Sequence, residues 1–151
     1  YSDFQCGACA AAEPTVKKIL QDYGGRVKLI YRHYPLTSIH KDAWKTAEAS
    51  ECAADQGRFW EYSELLFKNQ KALSIQDLKR YAEELGLNTS SFSLCLDTGF
   101  MSEMVRADVQ AAKQLGISGT PTFIIGDQKI IGAQRYEAFK EVIDKQLVGL
   151  K

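Results

Sequence analysis

The chain predicts an α/β fold. A helix opens on two cysteines, an early strand follows it, and a long helical stretch leads to a Thr-Pro step that enters an apolar hairpin. With 151 residues, 45% of them apolar and 25% charged, there is enough material for one compact unit with a real core. No internal repeat or low-complexity linker divides it.

The first helix is expected from about Cys6 to Tyr23, where Gly24-Gly25 stops it; Pro14 inside it removes one backbone hydrogen bond and should kink it. Val27 to Tyr34 reads as a strand from its Val, Leu, Ile and Tyr content, ending at Pro35. From about Asp42 to Leu115 the pattern is helical, and Phe59, Trp60, Leu65, Leu66 and Phe67 are assigned to the core of that part. Ser74 with Ile75-Gln76-Asp77 marks a helix start, Leu78, Ala82 and Leu85 share a face, and Gly86 ends it. A short helix over Ser90–Asp97 follows, then a stripe of Val105, Val109 and Ala112 leading to Leu115-Gly116. Ile124 to Ile131 reads as a hairpin turning at Gly126-Asp127. Tyr136, Phe139, Ile143 and Leu147 mark a final amphipathic helix.

Chemistry concentrates at Cys6-Gly7-Ala8-Cys9. Residues i and i+3 lie one above the other at a helix start, so the two sulfurs can close a short disulfide ring. Unpaired backbone N–H groups and the macrodipole at an exposed helix N-terminus stabilise a thiolate, which makes Cys6 the expected nucleophile. Cys9, one turn deeper, is placed to resolve a mixed disulfide formed at Cys6. Half of a zinc site has the same spacing, yet Cys52 and Cys95 are far apart and His33 and His40 are the only histidines, so no second ligand pair is evident and no metal is expected. The histidines read as polar surface groups or as partners of the backbone, and Arg32 as a solvated or paired charge. In Ile117-Ser118-Gly119-Thr120-Pro121-Thr122-Phe123, a proline leading into a strand is explained either by a cis Thr120–Pro121 bond or by an ordinary trans proline at a strand start.

A formal net charge of +0 with no basic block argues against nucleic acid and anionic membrane surfaces as partners. No apolar run approaches about 18 residues and no charged-then-apolar leader is present, so this stretch contains no transmembrane helix or signal peptide.

Taken together, Ser2-Asp3-Phe4-Gln5-Cys6-x-x-Cys9, the strand ending His33-Tyr34-Pro35, the stretch Glu51-Cys52-Ala53-Ala54-Asp55-Gln56-Gly57-Arg58-Phe59-Trp60-Glu61 and Gly119-Thr120-Pro121-Thr122-Phe123 resemble the DsbA-like thiol:disulfide oxidoreductases of the thioredoxin-fold superfamily, over nearly the whole chain. The resemblance implies a thioredoxin fold with a helical insertion between the second core strand and the cis-proline strand: residues 1–40 and 117–151 as core, and 41–116 as insertion. It implies that Thr120 and Pro121 bind substrate beside the sulfurs. It also implies that the chain starts inside its first strand, with an acidic residue that assists proton transfer falling just before Tyr1. Some members join cysteines at places similar to Cys52 and Cys95; such a bridge would close a loop of about 44 residues and contribute about 4 kcal/mol. The alternative is a pair of inert, buried thiols.

The expected activity is disulfide exchange with protein or peptide dithiols, in the oxidising direction, with no cofactor beyond the cysteine pair and with a separate partner restoring its redox state. The family resemblance places it outside the cytoplasm, in the periplasm or exported. Gly7 and Ala8 tune the pair: the family's strong oxidant has Pro-His there, and here no side-chain donor remains, so the potential is expected roughly midway between about −270 and −120 mV. The alternatives are a reductase or isomerase, a non-catalytic peptide- or metal-binding module, and a relay domain cut from a membrane protein.

Overall fold

The computed structural model describes residues 1–150. The described residues form seven α-helices, one 3-10 turn and one two-stranded hairpin. Helix α1 spans Gly7–Tyr23 and ends at Gly24, whose φ of 54° is open to glycine without strain; the 3-10 turn covers Gly24–Arg26. The helical stretch resolves into α2 (Ala43–Ala54), α3 (Phe59–Lys68), α4 (Ile75–Glu84), α5 (Thr89–Asp97) and α6 (Ser102–Gln114). Strands β1 (Thr122–Ile125) and β2 (Gln128–Ile131) and helix α7 (Tyr136–Gly149) complete the chain.

Helix boundaries follow local chemistry. Ser74 and Asp77 form a reciprocal capping box at α4, and the Asn88 side chain accepts from Ser91 N at 2.9 Å, which starts α5 one residue before its expected position. The hairpin pairs Thr122 with Ile131 through to Ile125 with Gln128, and turns at Gly126-Asp127.

The N-terminal residues continue the sheet past β1. Tyr1 N donates to Thr122 O at 2.8 Å and Thr122 N to Tyr1 O at 3.0 Å. On its other side Ser2 forms a parallel bridge with His33, through Ser2 N to Arg32 O and Tyr34 N to Ser2 O, both 2.9 Å. The expected strand Val27–Tyr34 is therefore corrected to a single bridge at His33. A ladder needs successive partners along its length, and among the described residues Ser2 alone pairs with this segment.

Two apolar clusters hold the fold. One gathers Phe4 against Tyr62, Leu66, Leu78, Phe92 and Leu96 of helices α3, α4 and α5; the other packs Ile19 and Tyr23 of α1 against Ile130, Phe139 and Ile143. The expectation that Trp60 joins the first cluster is also corrected. Helical period turns Tyr62, Ser63 and Leu66 inward and leaves Trp60 51% exposed, edge-on to Phe59. Cys52 on α2 and Cys95 on α5 are joined as a disulfide, with Cα atoms 5.9 Å apart. No helix of the described residues is long and apolar enough to cross a membrane.

Leu78 is completely buried, so Leu78→Ala is expected to lower stability by about 2–5 kcal/mol, read as a fall in the urea midpoint. The double variant Cys52→Ala/Cys95→Ala, with its 43-residue separation left open, is expected to lose about 4 kcal/mol by the same assay.

Candidate active site

Cys6 is the N-cap residue of α1, with extended backbone (φ −80°, ψ 123°) and no side-chain cap. An N-cap side chain with an acceptor reaches the free amides of the first turn; a neutral thiol offers little to them, whereas a thiolate would be stabilised there. Its sulfur donates to the carbonyl of Thr120 at 3.7 Å, which brings two distant stretches of chain together. The Thr120–Pro121 peptide is cis and Pro121 is buried. Gly7 and Ala8 are exposed, and a Cβ at Gly7 would meet nothing within 4 Å, so the surface above the cysteines is open. Cys6 itself is less open than a helix start suggests, at 7% exposure.

Cys9 lies one turn further in and is 2% exposed. Burial pushes its thiol up to about 12, against the smaller pull of Ser2 and the Asp3 backbone. The two thiols therefore occupy different surroundings: Cys6 at a helix terminus under Thr120, Cys9 in an apolar interior. Beside Cys9 runs a cleft of about 510 Å³ whose walls include Val16, Val27, Leu29, Pro121 and Ile124. Glu13 stands on the same wall, and burial pushes its carboxyl above the ordinary range despite Lys17.

The turn that carries Cys6 is held by residues the sequence reading left unassigned. The Asp3 carboxylate is buried and accepts from Gln5 N (2.8 Å) and Leu36 N (2.9 Å), and pairs with His40 Nδ1 (2.8 Å). Gln5 and Asp42 bond reciprocally, Asp42 N to Gln5 Oε1 at 3.0 Å and Gln5 Nε2 to Asp42 Oδ2 at 3.3 Å. Gln70 Nε2 donates to Phe4 O and to Cys6 O, both at 2.8 Å. His33 is neither the surface group nor the backbone partner expected: it is 1% exposed, its ring bonds the Glu51 carboxylate at 2.6 Å and is surrounded by Phe4, Tyr31 and Phe59. Arg32 pairs with Asp108 at 3.3 Å. Among the described residues, no group of three or more His, Cys, Asp or Glu gathers where it could hold a metal ion.

Residues 1–145 match a family model described as thioredoxin. The chain is 41% identical over 143 residues to the Na(+)/H(+) antiporter NhaA 3 of Salinispora tropica, covering 95% of this chain and 22% of that protein. It is 32% identical to the Na(+)/H(+) antiporter NhaA of Herminiimonas arsenicoxydans, covering 100% of this chain and 24% of that one. The chain thus spans between a fifth and a quarter of the length of these curated relatives. Among solved structures, the thiol-disulfide exchange protein alpha-DsbA2 of Wolbachia pipientis superposes with a TM-score of 0.83 at 21% identity, over 95% of this chain and 77% of that one. BdbD of Bacillus subtilis gives 0.80 at 22% identity, over 97% and 84%. These likenesses show the fold.

The contrast between the thiols has a direct readout. Iodoacetamide at about pH 8, applied to the reduced protein, is expected to label Cys6 and leave Cys9 unmodified until the chain unfolds, as mapped by peptide mass. Because the folded Cys9 thiol stays protonated above the pH at which the unfolded thiol ionises, the reduced form should lose stability as pH rises from about 9 towards 12, seen in urea midpoints against pH.

Proposed function

From a chain that belongs to the thioredoxin family, we propose a protein thiol:disulfide oxidoreductase that oxidises dithiols through Cys6 and Cys9. The observation that carries this reading is the Cys6 sulfur at the N-terminus of α1, 3.7 Å from the Thr120 carbonyl and beneath an open surface. That arrangement offers a reactive sulfur next to a backbone stretch on which an extended peptide can lie.

In the oxidising direction, a substrate thiolate attacks Cys6 Sγ of the Cys6–Cys9 disulfide. The S–S bond breaks, and its electron pair leaves on Cys9, which takes up a proton. The burial that raises the Cys9 thiol makes the protonated form its resting state. A second substrate thiolate then attacks the substrate sulfur of the mixed disulfide and expels Cys6, so two electrons pass to the enzyme and one disulfide forms on the substrate. A separate redox partner reoxidises the dithiol. Thr120 and Pro121 bind the substrate segment, and the chemistry needs no cofactor. Residues 1–40 and 117–151 carry this chemistry, while helices within 41–116 frame it.

The fold likeness to a periplasmic thioredoxin-like protein of Salmonella enterica serovar Typhimurium, at a TM-score of 0.77, and the Cys52–Cys95 bridge support an extracytoplasmic site of action. The antiporter relatives support a second layer of the reading, in which this redox unit is one part of a membrane transport protein.

Cys6→Ser is expected to abolish oxidation of a reduced peptide dithiol, and Cys9→Ser, offered the same peptide in its disulfide form, to accumulate a mixed disulfide at Cys6 as the other peptide sulfur leaves as a thiol, both scored by non-reducing mass analysis. The equilibrium potential in glutathione buffers is expected roughly midway between about −270 and −120 mV. A value near −270 mV would reverse the direction and make the protein a reductase, and a dithiol pair that never exchanges would leave a binding module.

A further inference from the structure

The helical insertion reaches into the catalytic turn through one side chain. Gln70, in the connection between α3 and α4, spends both N–H groups of its amide on the carbonyls of Phe4 and Cys6, each at 2.8 Å. Phe4 is 1% exposed, and among the described residues its carbonyl has no other hydrogen-bond partner. The Cys6 carbonyl also accepts the first helical bond, from Ala10 N at 3.2 Å.

The consequence for sulfur lies in peptide geometry. Cys6 C=O and Gly7 N–H belong to one planar trans unit and point in opposite directions, so fixing the oxygen fixes the amide hydrogen. Gly7 N–H and Ala8 N–H are among the amides that no helix can satisfy internally, and they are the groups that favour negative charge at the terminus. No side chain between the cysteines supplies a donor, since Gly7 and Ala8 have none. Orientation of these amides is thus the local means of stabilising a Cys6 thiolate.

We propose that Gln70 is a positioning residue for Cys6: by holding the Phe4 and Cys6 carbonyls it aims the first amides of α1 at the sulfur, stabilises the thiolate and so makes the disulfide more oxidising. The inference rests on the reading of Cys6 and Cys9 as a redox pair. A reduced form stabilised in this way raises the tendency of the pair to take electrons.

The test is the glutathione equilibrium of the intact protein, wild type against Gln70→Met, which keeps length and volume but has no donor, and Gln70→Lys, which keeps N–H donors. Thermal melting of each variant is followed in parallel. Gln70→Met is expected to shift the equilibrium about threefold to tenfold towards the disulfide form and to slow Cys6 alkylation at about pH 7 by a similar factor. A tenfold shift corresponds to about 30 mV for this two-electron couple. Gln70→Lys is expected to stay at or above the wild-type value. An unchanged equilibrium in Gln70→Met, whatever its melting temperature, would overturn the inference, as would an equal fall in Gln70→Lys, which would mean that the side chain only fills space. A wild-type pair that does not equilibrate with glutathione would defeat the redox reading itself and this inference with it; a wild type that equilibrates normally beside indifferent variants would defeat the inference alone.

Discussion

The placement of the Cys6 sulfur depends on the buried carboxylate of Asp3. A carboxylate out of water is costly unless its lone pairs are occupied, and here Gln5 N, Leu36 N and His40 Nδ1 all turn to it. That knot ties the end of the N-terminal extended segment to the Leu36–His40 turn and fixes where the chain bends before Cys6. Cys6 N bonding back to Asp3 O at 3.1 Å closes the bend. Without it, the helix could start at the same residue and still present its first turn elsewhere.

Around this knot the molecule divides its labour between two apolar clusters. The cluster of α1, β2 and α7 supports the sheet side, and the helical cluster supports the opposite side. Phe4 belongs to the helical cluster although it sits two residues before Cys6, stacked on Tyr31 with ring centroids 5.0 Å apart. Cys6 therefore lies at the seam between the clusters, and the loop bearing Thr120 closes over it from the sheet side. Burial at that seam is deepest at Cys9, which is why its thiol is pushed up to about 12.

What was legible in the sequence is what chemistry writes locally. The cysteine spacing, the Ser74–Asp77 cap, the hairpin turn at Gly126-Asp127 and the face of Leu78 and Ala82 are each set within a few residues, and each stands where the pattern put it. Pairing at a distance was not legible. Composition marks Val27–Tyr34 as strand-like, but a ladder is a property of two segments, and among the described residues Ser2 alone bridges to it. Trp60 carries the right hydrophobicity on the wrong side of its helix, and His33 is drawn inside by Glu51 and three aromatic rings. Nothing local distinguishes Gln70 from other surface amides, since its partners are 64 and 66 residues away. Asp3 was visible as a neighbour of the cysteines, but the turn of its side chain towards His40 is a tertiary fact.

The bond between Cys52 and Cys95 encloses α3, α4 and the connection bearing Gln70 in a covalent ring. A protease that cuts once at an exposed loop inside that ring, at Gly57 or Gly86 for example, converts one chain into two without releasing either piece. The nicked molecule gains one water at the broken peptide bond and stays in one piece, so surface cleavage in a protease-rich environment would open the backbone before it could carry off the helices that frame the sulfur.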